Sequence, residues 1–382
     1  MATKTLGIIV NGATGRICST QHLQNALVPL LREGGLGVGD DRVVPRLLLV
    51  GRDEERVAAI AKAHGIAEWT TDLDAALGDG AFAVFFDAAA THQRAEAIEK
   101  AIAAGRHIYC EKPVATSVPQ ARALLRAVEQ RGLKAGAVED KIYLPGLQKL
   151  LGLAKGGFFG RIVNFRLEFG WWMFDGTEVP CQRPSWNYRR ETGGGLILDM
   201  VPHWRYLVED ILSPIARVAA AAWTATPARV DEHGGRYPVD VEDSCAILVE
   251  LAGGACGTIL SSWATRVRRD DLLTLQVDGT HGSAVAGLHR CWTQSRQETP
   301  KVAHFSVNVD PGIDYRGGWN EVVASGPYQN PYRIGWEEFL RHVVAGAPLR
   351  ATFAAGIRDV QLAEACHRST EEGRWVKLDA LS

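Results

Sequence analysis

The sequence predicts two domains: an α/β domain with a parallel sheet, then an α+β domain with a large, mostly antiparallel open sheet. Three observations carry this. The 382 residues exceed what one ordinary core accommodates. Short apolar runs alternate with helical patterns over residues 1–140, as in strand–helix–strand units with helices on both faces of a parallel sheet. From Arg161 onward, period-two alternation takes over, which suits a sheet with one buried face.

Taken in order, Leu6–Val10 is an apolar strand that stops at Asn11-Gly12-Ala13-Thr14-Gly15-Arg16-Ile17-Cys18, and a helix is expected from Ser19. Glycines at such a turn let backbone amides approach a pyrophosphate at the positive end of a helix. The spacing puts Cys18 where a third glycine commonly stands. Residues 33–45, rich in Gly and Asp, are expected to be a solvated loop. The next strand, Arg46–Val50, ends in Gly51-Arg52-Asp53. An acid at this strand end binds a ribose 2′-hydroxyl, whereas a nearby arginine suits a 2′-phosphate. Glycine in the usual acid position followed by Arg52 favours NADP over NAD, with Asp53 still within reach of a ribose.

A helix over 54–64, a turn, a strand over 81–86 and a helix ending at Gly105 follow. They lead to the strand before Glu111-Lys112-Pro113, a lysine at the carboxyl end of a strand, where α/β sheets bind ligands. Ser117-Val-Pro-Gln120 reads as a capping box opening a helix whose apolar face is Ala121, Leu124, Leu125 and Val128. Ala135–Val138 closes the unit, a Rossmann fold over residues 1–140. In residues 141–382, strands are expected over 161–169, 239–251, 255–262 and 271–279, with helices near 196–212, 335–346 and 354–372.

Composition narrows the function. A net charge of −2 gives no reason to expect nucleic acid or an anionic membrane as partner. No apolar run reaches membrane-spanning length, and the amino-terminal residues leave no room for a secretory signal. The seven cysteines are odd in number and never spaced C-x-x-C, and no His-Glu-x-x-His occurs. Free thiols in the cytoplasm and no metal site are the expectation.

Gly193-Gly-Gly195 opens a helical stretch holding Asp199 and His203, four residues apart and so on one face. A carboxylate beside an imidazole is a plausible acid–base pair. With these blocks in view, the chain resembles the glucose-fructose oxidoreductase / inositol dehydrogenase / rhizopine-catabolism (Gfo/Idh/MocA) family of NAD(P)-dependent oxidoreductases. The likeness runs from the glycine loop through Ala-Gly-Arg-His-Ile-Tyr-Cys-Glu-Lys-Pro and Gly193-Gly-Gly-Leu-Ile-Leu-Asp-Met-Val-Pro-His203 to Gln361-Leu-Ala-Glu-Ala365.

The resemblance implies Lys112, Asp199 and His203 as the catalytic set, with Lys112 on the reacting oxygen and His203 exchanging its proton. It implies cofactor contacts from Gly12, Thr14, Gly15, Arg16, Ile17, Arg52, Asp53, Ala89, Thr91, Glu111 and Lys112. Substrate contacts would come from Lys141, Trp172, Trp186, Asp199 and His203. A cis peptide before Pro113 and a homodimer or homotetramer are also implied. The chain departs from the family pattern in two places. Val201 and Tyr206 replace a glycine and the final acid of D-x-G-x-H-x-x-D, and Ala89-Ala90-Thr91 with Arg94 replace Thr-Pro-Asn and a histidine.

Trp171, Trp172, Met173, Phe174, Trp186 and Trp204 gather near the catalytic segment in sequence, with Arg189 and Arg190 among them. Aromatic faces stack on sugar rings, so the expected substrate is a sugar, glycoside or cyclic polyol oxidised at a ring secondary hydroxyl. An aldose anomeric carbon or a dihydrodiol is the alternative, as is a catalytically silent NAD(P)-binding regulator. A short-chain dehydrogenase reading fails, because none of the eight tyrosines has lysine four residues on.

Overall fold

The computed structural model describes residues 2–301, 308, 312–323 and 326–379; the side chain of Met173 lies outside the described set. The first sheet has seven strands: β1 (Thr3–Asn11), β2 (Leu36–Val38), β3 (Asp41–Val50), β4 (Glu68–Thr70), β5 (Phe82–Asp87), β6 (His107–Cys110) and β7 (Ala135–Ala137). Its order is β2-β3-β1-β5-β6-β7, with β4 also on β3, and every pair is parallel except β2 with β3. The order turns around between β1 and β5, so the crevice beyond their carboxyl ends is where such a sheet takes a ligand.

Helices cover both faces. A segment in wide i→i+5 turns (Ile17–Leu27) runs into α1 (Val28–Arg32), and α2 (Glu54–His64), α3 (Leu73–Gly78), α4 (Thr91–Ala103) and α5 (Val118–Gln130) follow. The first begins two residues before the expected Ser19. Ser117 caps α5 by accepting from the Gln120 N–H, and Ala121, Leu124 and Val128 are buried as the pattern requires. One expectation is corrected: residues 33–45 are not simply a solvated loop. Leu36 and Val38 are buried, and β2 pairs back on Val43–Asp41. Gly34, Gly35 and Gly39, all at positive φ, make the two reversals this hairpin needs.

The second sheet has nine strands: β8 (Ile162–Gly170), β9 (Ile215–Trp223), β12 (Ser244–Leu251), β13 (Cys256–Ser262), β14 (Leu273–Gly279), β15 (Gly282–Ala286), β16 (Cys291–Ser295), β17 (Asn320–Glu321) and β18 (Val376–Lys377); β10 (Ala228–Val230) and β11 (Arg236–Pro238) form a separate hairpin. Order is β17-β16-β15-β14-β8-β13-β12-β9-β18, antiparallel except between β13 and β8. α6 (Pro145–Lys155), α7 (Leu196–Ile211) and α9 (Phe353–Glu372) pack on one face. The other face is open and leaves Val163, Trp223, Leu248 and Leu260 exposed. Burial alternates along β12 and β13, which is the period-two pattern made physical.

α8 (Pro331–Ala345), capped by Asn330, starts four residues before the expected 335 and packs on the first sheet. Trp336, Phe339 and Leu340 belong to the core that holds Ile8, Val10 and Phe86. The Phe339 ring stacks on Tyr109 of β6 at 4.5 Å.

Candidate active site

Four strand ends build the cofactor side. Gly12, at φ +76°, crosses so close beneath β5 that a Cβ there would lie 2.6 Å from the Ala89 amide nitrogen. Only glycine permits this approach. The loop closes with Gly15 N–H on the Gly12 carbonyl at 2.9 Å and Ala13 N–H on the Val50 carbonyl at 3.1 Å. Beside it lies a crevice of ≈ 360 Å³ lined by the predicted Gly12, Thr14, Gly15, Arg52 and Ala89. Asn11, Thr71, Gln93, Glu96 and Lys100 also line it and carried no signal in the sequence. A glycine cradle at a helix start, at the switch point of a parallel sheet, fits a dinucleotide. Arg16, Ile17 and Thr91 sit at helix starts bordering the loop.

Two predicted cofactor residues are otherwise engaged. Asp53 caps α2, accepting from the Arg56 N–H at 3.0 Å. Glu111 is buried and takes a 2.8 Å hydrogen bond from His22, whose Nδ1 accepts from the Trp336 indole at 3.0 Å. Burial opposes ionisation of Glu111, yet the His22 bond and the Lys112 charge outweigh it and hold the carboxyl below its ordinary value. Glu111 thus anchors the loop carrying Lys112 rather than facing outward. Arg94, buried, reaches Asp87 at 2.9 Å, the Ala89 carbonyl at 2.9 Å and the Pro113 carbonyl. It ties two strand ends together where the family pattern has histidine. The Lys112–Pro113 bond is cis.

The expected substrate residues Asp199 and His203 come from α7. Gly194 has no Cβ because one would lie 2.6 Å from Asn187, and the N–H of Ile197 donates to the Glu242 carboxylate at 2.9 Å. The triple glycine therefore serves a close approach by neighbouring chain, and Glu242 caps the helix from another segment. One turn in, Asp199 meets Lys112: Nζ donates to Oδ1 at 2.7 Å and to the Asp199 carbonyl at 2.6 Å. Arg183 donates to the other carboxylate oxygen at 2.9 Å. Burial opposes the charge on Asp199, but Lys112 and then Arg183 pull its carboxyl far below the usual range. Arg183 stands at φ +59°, which costs an arginine roughly 1–2 kcal/mol. Its contacts with Asp199 and with the Trp186 ring, 5.5 Å away, offset that cost. No sequence pattern pointed to Arg183.

His203 lies on the same face, buried, with Nε2 3.2 Å from Lys141 Nζ and Nδ1 2.8 Å from the Tyr206 hydroxyl. Burial, then the charges of Lys141, Lys112 and Arg183, push its pKa well below 6.5. The imidazole is neutral at pH 7 and can accept a proton. Arg16, within electrostatic reach of Arg183 and Asp199, is lowered from its ordinary value by burial and then by Arg183, so cations of both domains border one cleft.

The aromatics divide. Trp172 and Trp186 are about half exposed, at 48% and 47%. Trp204 is corrected to a core residue: it is fully buried, and its indole donates to Ser261 at 3.2 Å. Trp171 and Phe174 pack on the same core. Arg189 lies over Tyr237, and Arg190 bonds Asp240 through its N–H. Among the described residues, no cluster of His, Cys, Asp and Glu could hold a metal ion, no helix is long and apolar enough to cross a membrane, and the seven cysteines are free.

Comparison with known proteins agrees with this architecture. Residues 12–138 match the oxidoreductase family, NAD-binding Rossmann fold, and residues 147–285 match the GFO/IDH/MocA C-terminal domain. A D-xylose dehydrogenase of Paenarthrobacter nicotinovorans is 43% identical over 385 residues, covering 100% of this chain and 99% of that protein. A levoglucosan dehydrogenase of Pseudarthrobacter phenanthrenivorans is 25% identical, covering 88% and 90% of the two chains. The solved structure of levoglucosan dehydrogenase in complex with NADH and levoglucosan superposes with a TM-score of 0.83 at 20% identity, over 99% of this chain and 100% of that one. The chain belongs to the Gfo/Idh/MocA family of NAD-binding oxidoreductases.

Proposed function

We propose that the protein oxidises a ring secondary hydroxyl of a sugar, glycoside or related cyclic polyol, with Lys112, Asp199 and His203 as its catalytic residues. The observation that carries this reading is a charged lysine clamped by Asp199, with a neutral, buried imidazole one helical turn further on. The bound nicotinamide cofactor supplies the hydride acceptor. Gly12, Thr14 and Gly15 would hold it at the switch point, with Glu111 fixing the loop from behind. Lys112 places an ammonium against the oxygen that gains negative charge as the C–H bond breaks. His203 Nε2 takes the hydroxyl proton. Asp199 keeps Lys112 oriented, and Lys141 keeps a second cation beside the imidazole. Trp172 and Trp186 offer exposed rings for the apolar face of a sugar.

NADP is the proposed preference. Asp53 is engaged as a helix cap, a side chain at position 51 would press on Thr14 and Val57, and Arg52 lines the crevice without a hydrogen bond to any described residue. The exposed apolar face of the second sheet is the proposed contact between copies of the chain. The 43% identity to a D-xylose dehydrogenase favours a free aldose as the substrate; oxidation at its anomeric carbon is the alternative reading, which the same lysine–histidine arrangement would serve.

The test is reduction of NAD+ and NADP+ against D-xylose, levoglucosan, free hexoses, alkyl glycosides and inositols. Product structures then separate a ketosugar from a lactone. Loss of activity in Lys112→Ala and His203→Ala is expected; full activity in either sinks the assignment.

A further inference from the structure

We propose that Tyr206 and Asp140 are positioning residues that fix the tautomer of His203 and balance the charge it acquires, an inference that rests on His203 being the proton acceptor. The hydrogen-bond directions follow from which groups can only donate or only accept. The Tyr206 hydroxyl receives the main-chain N–H of Lys141 at 3.1 Å, which can only donate. The same hydroxyl lies 3.4 Å from Asp140 Oδ1, a carboxylate oxygen that can only accept. A phenol has one proton and two lone pairs. With its proton directed to Asp140 and one lone pair taken by Lys141, it has one lone pair left for the contact at 2.8 Å with His203 Nδ1. That arrangement puts the hydrogen on Nδ1, and the contact at the other nitrogen selects it over the reverse one, in which the phenol donates to Nδ1.

A second observation, at the other nitrogen, reaches the same tautomer. The Lys141 ammonium, a pure donor, stands 3.2 Å from Nε2, which must then present its lone pair. Both constraints leave Nε2 as the basic nitrogen. Tyr206 is fully buried, so water cannot substitute for its hydroxyl. Burial also pushes its phenol far above the ordinary value and keeps it protonated.

In the reaction, the substrate hydroxyl takes the place of the Lys141 ammonium at Nε2 and its proton passes to that nitrogen, while the hydride leaves carbon for nicotinamide. The imidazole then carries a positive charge, with Nδ1–H still on Tyr206, and no further proton needs to move. The groups that face that charge are Lys141, Lys112 and Arg183, all positive, against Asp199 on the same helix and Asp140. Asp140 Oδ1 lies 3.7 Å from Nδ1 and is the nearest anion to it. The acid that the family pattern places at position 206 is thus supplied by Asp140, from the turn before α6, with a phenol as spacer.

The experiment uses Tyr206→Phe, Asp140→Asn, the double variant and His203→Gln in the full-length protein, with the sugar of the panel that the wild type oxidises fastest. Thermal melts first confirm folding, and kcat and kcat/KM are then measured from the lowest pH at which the melts show each variant folded up to pH 10. Each of the two single changes should lower kcat about tenfold or more, with the KM for cofactor within about twofold. The acid limb of kcat/KM should move to lower pH in Asp140→Asn, because the imidazolium loses its nearest anion. The double variant should be no worse than the poorer single one, as residues acting in one chain behave.

Wild-type kcat and pH profile in Asp140→Asn would overturn the proposal, as would losses that multiply in the double variant. Should Tyr206→Phe fail to fold, Asp140→Asn decides, since its side chain sits at the edge of the site and keeps its shape. An active His203→Gln would instead remove the reading of His203 as base. An inactive His203→Gln beside unaffected Tyr206 and Asp140 variants would remove only this proposal.

Discussion

Lys112 Nζ donates to both the side-chain and the main-chain oxygen of Asp199, at 2.7 and 2.6 Å, so one residue pair joins the two domains at the proposed reacting centre. Removing the ammonium should act on turnover more than on the fold, because Asp199 retains Arg183 at 2.9 Å. Lys112→Ala is expected to lower kcat by about 10²–10³-fold, the scale of losing one preorganised donor to a developing oxyanion. Steady-state kinetics beside a thermal melt checks both halves of this expectation.

His203 carries a pH signature. Its folded-state pKa is well below 6.5, so below about pH 6.5 the unfolded chain takes up a proton that the folded protein refuses. Stability contributed by this site therefore falls as pH drops from about 6.5 towards the folded value. His203→Gln should weaken the decline in urea midpoint between pH 7 and 5. In the wild type, kcat/KM for alcohol oxidation should show no histidine limb near pH 6.5.

Gly12→Ala places a methyl group 2.6 Å from the Ala89 nitrogen at a φ of +76°. The strain of a non-glycine residue there is of order 1–3 kcal/mol, and relief requires the loop to leave β5. Cofactor affinity should fall at least about tenfold on that basis, read by quenching of protein fluorescence on titration with NADPH and NADH. Unchanged affinity for both would show that the loop is not the cradle.

Arg205 lies buried among acids, 2.6 Å from Asp359 and also bonded to Glu139, with Glu209 at 3.6 Å. Arg205→Leu leaves those carboxylates without their cation, which should cost about 3–5 kcal/mol in urea unfolding. Burial, against the pull of Arg205, pushes Glu139 up to about 8. The folded protein then keeps a proton that the unfolded chain has lost, so this site loses stability as pH rises from about 4.3 to 8. Glu139→Gln should flatten the fall in urea midpoint between pH 6 and 8.5.

What the sequence revealed follows from which signals are local. The glycine loop, the Ser117 cap and the alternation along β12 and β13 are set by neighbouring residues, and each stands where the pattern places it. Asp199 and His203 share a face because four-residue spacing on a helix dictates it. Arg183 and Asp140 were illegible because their partners lie 16 residues away on α7 and 66 residues away at Tyr206. Composition misplaced Trp204, since a tryptophan beside a candidate catalytic histidine looks the same whether it faces solvent or core. The Leu36–Val38 strand was masked by surrounding glycines, which signal a loop and a tight hairpin alike.

The bond from Trp336 to His22 spans 314 residues. Translation proceeds at about 5–20 residues per second, and domains tend to fold as they emerge. The core of the first sheet is completed only when α8 brings Trp336, Phe339 and Leu340 to Ile8, Val10 and Phe86, and Glu111 gains its full clamp at the same late point. On the proposed role of the Lys112 loop, competence to hold a cofactor becomes a late event in synthesis, and a chain released before α8 would lack both the finished core and the clamp on Glu111.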